Sequence, residues 1–91
     1  MANTFTLTVL TPDRSVFDGP VEYVQVPGTE GYMGVLANHA SLVTALAPGT
    51  VTLRRPGGGT ETLQVTGGFF EVGHNVATVL ADAVTETTPK H

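Results

Sequence analysis

The sequence predicts an all-β domain of the sandwich or barrel type, on three observations. Apolar and polar residues alternate along most of the 91-residue chain, which is typical of strands with one buried face and one wetter face. Turn-forming glycine, proline and aspartate recur about every 8 to 10 residues, the spacing of all-β domains. No segment keeps a helical period through several turns. The length suits a single small domain.

Five strands are predicted in the first half of the chain, over residues 4–11, 14–18, 20–27, 31–36 and 41–46. The first shows the pattern most plainly, because Phe5, Leu7 and Val9 alternate with threonines. Turns are predicted at Pro12-Asp13, Asp18-Gly19-Pro20 and Pro27-Gly28. The segment from Leu36 to Leu46 comes nearest to a helical pattern, but its β-branched residues and the Pro48-Gly49 pair that follows favour a strand after an irregular loop.

Four more strands are predicted over residues 50–55, 60–67, 69–73 and 75–82. Glycine-rich turns separate them, at Pro56 to Gly59, Gly67-Gly68 and Gly73 to Asn75. In the last strand, Ala77, Val79 and Ala81 alternate with residues 78, 80 and 82, which include Leu80. Both faces of this strand are therefore expected to be partly covered. The domain is expected to span residues 1–84, and the threonine-rich tail 85–91 is expected to fray.

Charge narrows the possible partners. Charged residues make up 13% of the chain, against roughly 25% in typical soluble domains. The net charge is −4, and the four basic residues are Arg14, Arg54, Arg55 and Lys90. Nucleic acid and anionic lipid both require clustered basic residues, so neither is an expected partner. The N-terminus lacks a signal-peptide pattern and no apolar run approaches the ~20 residues that span a bilayer. Any membrane association is therefore expected to go through another protein.

No catalytic, metal or cofactor site is predicted. The chain has no cysteine, which removes disulfides, zinc–thiolate sites and thiol nucleophiles. Its histidines lie too far apart in sequence for the usual zinc spacing; they are His39, His74 and His91. Gly28, Gly31 and Gly34 are not followed by a lysine or a helix, so they favour backbone bends over a phosphate-binding loop.

Two features of residues 26–42 point to different functions. His39 and Ser41 lie two residues apart, hence on the same side of an extended strand, and leave a small hydrolase open as an alternative. Tyr32 and Met33 lie among glycines, where turns are usually polar, and both residue types are enriched at contact surfaces. Tyr32 and Met33 therefore predict a loop that binds a partner, although Val35 and Leu36 beside them suit a buried hairpin equally well.

Four segments taken together resemble one family. They are LTVLTPDRSVFDGPVEYVQVPG, PGTEGYMGVLANHASLVTAL, VTGGFFEV and NVATVLADAV. In this combination they resemble the ε subunits of F-type ATP synthases, from about Phe5 to Val84. One departure is Ser41, where that family usually has proline. A second is length, because family members usually continue into two C-terminal helices with a regulatory role. The chain is either a naturally short form or a piece of a longer protein; if it is naturally short, it is expected to couple rotation without inhibiting by helix extension.

The resemblance implies a flattened ten-stranded β-sandwich and a non-catalytic rotor subunit of the central stalk. Such a subunit binds the γ subunit and the c-ring, and so couples proton-driven rotation to ATP synthesis in the other subunits of the complex. It implies a peripheral position on the cytoplasmic face of the bacterial plasma membrane, or the equivalent side of a thylakoid or other coupling membrane.

By position, the resemblance also implies two contact surfaces. The loop facing the c-ring would comprise Glu30, Gly31, Tyr32, Met33 and Gly34. The surface facing the γ subunit would comprise Thr11, His39, Ala40 and Leu42. The alternative is a free-standing β-sandwich that binds a ligand, which would need a concave aromatic face. The aromatic residues available for it are Phe5, Phe17, Tyr23, Tyr32, Phe69 and Phe70.

Overall fold

The computed structural model describes residues 3–87, which form ten β-strands and no helix. The strands are β1 (Phe5–Thr11), β2 (Arg14–Val21), β3 (Tyr23–Gly28), β4 (Gly31–Val35), β5 (Leu42–Leu46), β6 (Gly49–Arg54), β7 (Thr60–Val65), β8 (Gly68–Gly73), β9 (Val76–Ala81) and β10 (Val84–Thr87). The all-β prediction is confirmed. Within residues 3–87 there is no helix that could cross a membrane.

The strands form one hydrogen-bonded sheet that folds over on itself. Their order is β10-β7-β6-β3-β5-β8-β9-β1-β2, and β4 pairs with β3 beside this path. A single residue pair, Gly28 with Leu46, joins β3 to β5, and the sheet turns over at this point. We call β10, β7, β6, β3 and β4 the first layer, and β5, β8, β9, β1 and β2 the second layer. The extents of 34 × 34 × 24 Å describe a flattened domain, as expected for two layers packed face to face.

The core lies between the two layers and is built from alternate residues of the strands. In β1, for example, Phe5, Leu7 and Val9 are buried, as the alternation predicted. Phe70 of β8 is the largest of the fully buried side chains. No polar or charged side chain is buried among the described residues, so apolar burial stabilises this core without a buried polar network.

Strand β2 continues through residues for which a turn was predicted. Gly19 pairs with Leu7 and Pro20 pairs with Thr6, so the chain stays extended to Val21 and bends at Glu22 instead. The reason is the position of β2 at one end of the strand order. An edge strand tolerates proline because the missing N–H can fall on the open side.

Strand β10 occupies residues at the boundary of the expected tail. Val84–Thr87 pair antiparallel with β7, and Val84 packs against the core. Four residues are too few to show a period of two, so the strand is recognisable only from its pairing. It supplies the tenth strand and carries the sandwich past the predicted boundary at Val84. Residues 88–91 of the predicted tail lie outside the described residues.

The β8–β9 turn organises one end of the second layer. Its two central residues, His74 and Asn75, have φ values of 52° and 63°, which suits the tight turns of β-hairpins. The Asn75 side chain donates to Thr4 O at 3.0 Å and accepts from Asn38 N–H at 2.7 Å. This turn therefore holds the start of the chain and the β4–β5 loop together.

Candidate partner-binding surfaces

The β3–β4 hairpin presents Glu30 at a tethered tip. Gly28 pairs with Gly31 across the hairpin, so the two residues between them form the exposed turn. Gly31 has a φ of 132°, a conformation that glycine adopts without steric cost. The N–H of Thr29 donates to Ala45 O at 3.1 Å. The tip is therefore attached to β5 and does not extend freely into solvent.

Tyr32 and Met33 point to opposite sides of β4, because successive side chains alternate across a strand. Tyr32 is 55% exposed and remains available for contact. Met33 lies opposite Val26 and packs against the core. Contrary to the expectation, its side chain is therefore not presented at the tip of the hairpin. Gly34 is exposed on the same face as Tyr32, and a Cβ at this position would lie only 2.6 Å from Tyr23 Oη.

Contacts with β6 hold the Tyr32 ring in place. Its Oη accepts a hydrogen bond from Thr50 N–H at 3.0 Å. The ring end lies over Gly49, where a Cβ would be 2.7 Å from Tyr32 Oη and 2.8 Å from Pro27 Cβ. Residue 49 must therefore stay small for the ring to occupy this position. Tyr32 is thus a half-exposed aromatic side chain with a set orientation.

We expect Tyr32→Phe to speed hydrogen exchange of the Thr50 amide by at least about tenfold, because its acceptor is lost. Exchange measured by NMR on the intact chain checks this. Tyr23→Phe is the matched control. It removes a hydroxyl that donates to Gln25 Oε1 at 3.1 Å and should leave Thr50 protected. Equal Thr50 protection in the wild type and Tyr32→Phe would show that the hydroxyl does not order this region.

The β4–β5 loop, residues 36–41, lies at the opposite end of β1 from Thr11. The loop is tied to Asn75, as described above, and the N–H of Thr6 at the start of β1 donates to Asn75 O at 3.1 Å. Thr11 ends the same strand, so roughly 20 Å separates the two regions at the usual rise of a strand. His39 and Ala40 therefore lie at one end of the second layer and Thr11 at the other.

The loop geometry does not assemble a nucleophile and a base. His39 Nδ1 lies 2.7 Å from Ala40 O, and a carbonyl oxygen can only accept, so this nitrogen carries the proton in that contact. Ser41 Oγ lies against Gly73, where a Cβ would be 2.8 Å from it. No hydrogen bond between the His39 and Ser41 side chains occurs in the described structure, and the hydrolase alternative gains no support.

Leu42 and Val43 divide between the core and the surface. Leu42, predicted from the resemblance to face a partner, is partly buried and packs against the core. Its neighbour Val43 is 69% exposed, because the alternation of β5 turns it outward. At this position, therefore, Val43 is the side chain that a partner can reach.

Val43 belongs to an apolar surface that covers the outside of the second layer. Its four large exposed members are Val43 of β5, Phe69 of β8 and Val76 and Leu80 of β9, and we call them the apolar outer face. Phe69 pairs with Ala45 on one side and Leu80 on the other, and Leu80 pairs with Leu10 of β1. Ala45, Phe69, Leu80 and Leu10 therefore form an apolar row across four neighbouring strands. Contiguous exposed apolar surface of this kind marks interaction sites.

The apolar outer face accounts for the separation of the predicted γ-facing residues. Thr11 follows Leu10 at one edge of this surface, and His39 lies in the loop that leads into β5 at the other end. The face lies between them. Sequence reasoning anticipated only that the Leu80 side of β9 is partly covered and did not identify the face as a surface, although β8 carries a signal. Phe69 and Phe70 are adjacent in β8, and a strand can bury only one of two successive side chains in a single core.

The ligand-binding alternative requires aromatic side chains on one concave face. Phe5 and Phe70 are buried, and the two most exposed aromatic residues, Phe69 and Tyr32, lie on different layers. An open cleft of about 280 Å³ is lined by Thr11, Asp13, Arg14, Asp82, Ala83 and Val84. Its lining is mostly polar, whereas small-molecule sites are predominantly apolar. Among residues 3–87, no three His, Asp or Glu side chains gather as a metal site.

Comparison with known proteins identifies related sequences. The family model described as "ATP synthase, Delta/Epsilon chain, beta-sandwich domain" matches residues 4–87. The chain is 48% identical over 77 residues to an ATP synthase epsilon chain of Pelotomaculum thermopropionicum, covering 85% of this chain and 57% of that protein. It is 46% identical over 78 residues to that of Prochlorococcus marinus, covering 86% and 57% of the two chains. The chain thus spans somewhat more than half the length of these relatives.

A solved structure gives the same result for the fold. A chain in the cryo-EM structure of Euglena gracilis mitochondrial ATP synthase, comprising OSCP, F1 and the c-ring, superimposes with a TM-score of 0.87. The sequence identity is 29%, and the match covers 91% of this chain and 53% of that one. About half of that chain therefore shares the fold of this chain.

Proposed function

Because the chain belongs to the family of ATP synthase delta/epsilon β-sandwich domains, we propose that it is a non-catalytic central-stalk subunit of an F-type ATP synthase. In this role it binds the γ subunit and the c-ring and couples proton-driven rotation to ATP synthesis. The family membership and the apolar outer face support the proposal. The subunit would lie peripherally at the cytoplasmic face of a bacterial plasma membrane, or the equivalent side of another coupling membrane, attached through the complex.

The γ subunit is the proposed partner of the apolar outer face. An interface core is usually apolar, rich in aromatic side chains and surrounded by polar residues. Phe69, 57% exposed in the middle of the face, suits the centre of such an interface. Thr11, His39 and Ala40 suit its rim, because they lie at the two ends of the same layer. Leu42 supports the interface from the core side without reaching the partner.

The c-ring is the proposed partner of the β3–β4 hairpin. Glu30 offers a carboxylate at the tip, and Tyr32 offers an aromatic side chain that contacts with β6 hold in place. Gly31 and Gly34 shape the backbone, and Met33 anchors the strand to the core. A held aromatic side chain loses less conformational entropy on binding than a mobile one. A tethered tip also suits a subunit that must transmit force to its neighbour.

Binding of the intact chain to its γ subunit tests the proposal. We expect Phe69→Asp to weaken binding by about 100-fold or more, because it places a charge in the apolar centre of the interface. Isothermal titration calorimetry with purified γ subunit measures the dissociation constant. Thr60→Asp is the control. Thr60 is exposed at the start of β7 in the first layer, away from the proposed γ surface.

The two variants separate the possible results. Loss of binding in Phe69→Asp with wild-type binding in Thr60→Asp is the expected outcome. Equal weakening in both variants would reject the apolar outer face as the γ surface. Absence of binding by the wild-type chain would reject the central-stalk function and return attention to a free-standing binding module.

A further inference from the structure

Glu71 is a charged residue within the apolar outer face, beside Phe69. It lies on β8 two residues from Phe69, so the two side chains project from the same side of the strand. Across the strands Glu71 pairs with Val43 of β5 and Thr78 of β9. The nearest neighbours of this exposed carboxylate on the outer surface are therefore apolar or uncharged.

Glu71 has no partner within the described structure. It makes no hydrogen bond or ion pair with any of residues 3–87. The arginines of the described structure lie elsewhere. Arg54 ends β6 and Arg55 follows it, and their guanidinium groups lie over the rings of Tyr23 and Phe17, respectively. Arg14 lines the cleft at the far end of β1. In the isolated domain, water must solvate the Glu71 carboxylate.

Docking of an apolar partner on this face would remove that water. A carboxylate desolvated without a compensating contact is strongly unfavourable. A partner surface that binds Phe69 and Val43 must therefore also supply a hydrogen-bond donor opposite Glu71, and a positively charged donor makes the strongest such bond. We propose that Glu71 determines the specificity of this face by pairing with an arginine or lysine side chain of the γ subunit. This inference rests on the proposed function.

The ion pair between Glu71 and a basic side chain would fix the alignment of the γ subunit on the apolar outer face, as well as the choice of partner. Apolar contact is non-directional, so a row of apolar residues across four strands permits several alignments of a partner. A single carboxylate beside that row is satisfied in only one of these alignments. An arginine would fix this alignment more strictly than a lysine, because its planar guanidinium binds a carboxylate through two parallel hydrogen bonds.

Calorimetric titration of the purified γ subunit into the intact chain tests the proposal. We expect Glu71→Gln, which keeps the shape and removes the charge, to raise the dissociation constant by about 30-fold. The dependence of affinity on salt concentration should also become weaker, because one ion pair is lost. Glu22→Gln is the matched control. Glu22 follows β2, away from the apolar outer face, and its substitution should alter neither quantity.

The outcomes distinguish the two levels of the proposal. Tight wild-type binding, with Glu71→Gln within twofold of it and the same salt dependence, would overturn the role of Glu71 and leave the proposed function standing. No binding by the wild-type chain would overturn the proposed function and this inference with it. An unchanged urea unfolding midpoint in Glu71→Gln confirms that any weaker binding arises at the interface.

Discussion

Gly68→Ala is expected to destabilise the domain by about 4 kcal/mol or more, a large part of the stability of a small protein. Gly68 begins β8 and pairs with Leu46 of β5 and Ala81 of β9. A Cβ at this residue would lie 2.0 Å from Leu80 O and 2.9 Å from Ala81 Cα. Both are backbone atoms in a paired strand and cannot rotate away. The φ of 137° adds strain for any residue with a Cβ.

Urea unfolding followed by circular dichroism measures this effect, and Gly58→Ala is its control. Gly58 also has a positive φ, of 103°, but a Cβ there meets nothing within 4 Å. Gly58→Ala should therefore cost only about 1–2 kcal/mol, from backbone strain alone. If the two variants unfolded at the same urea concentration, the close approach of β8 to β9 at Gly68 would not add to the loss of stability.

Phe70→Ala is expected to lower the free energy of unfolding by about 3–5 kcal/mol, because it opens a cavity in the core. Phe70 is fully buried and pairs with Thr44 of β5 and Val79 of β9. The lost stability has two parts: the favourable free energy of transferring the ring from water to the core, and the van der Waals contacts that the residues lining the cavity no longer make. Thermal and urea unfolding of the intact chain both report it.

Phe69→Ala provides the contrast on the same strand. Phe69 faces solvent from the opposite side of β8, so its removal should change stability by less than about 1 kcal/mol. The proposed function predicts that the same change weakens binding to the γ subunit. A large loss of stability in Phe69→Ala, or none in Phe70→Ala, would contradict the assignment of the two residues to opposite sides of the strand.

Much of the fold follows from local pattern. Alternation along β1, β6 and β7 identified the strands and the buried side of each, because a period of two sorts side chains without knowledge of neighbours. The pattern failed where pairing overrides local preference. Pro20 lies inside edge strand β2, and Val84–Thr87 form a strand through their pairing with β7.

The candidate surfaces were less predictable than the fold. The glycine-rich hairpin was found from Tyr32 among small residues, because an exposed aromatic residue in a turn is unusual. Met33 and Leu42 are expected from the family resemblance to contact partners. In the structure, the alternation of β4 and β5 points both side chains toward the core. Phe69 could be recognised only through its neighbour Phe70, since a strand buries one of two successive side chains in a single core. Val43 gave no signal, since an outward apolar residue in a strand resembles an inward one in sequence.

The sequence by itself determined the all-β class, most of the strands and, through its resemblance, the family to which the chain belongs. Only the tertiary structure decided which strands lie side by side, and hence that Phe69, Leu80 and Leu10 form one row with Glu71 beside it. The physical reason is that alternation is a property of a single strand. A surface is shared by several strands, and it exists only once long-range pairing has set their order and register.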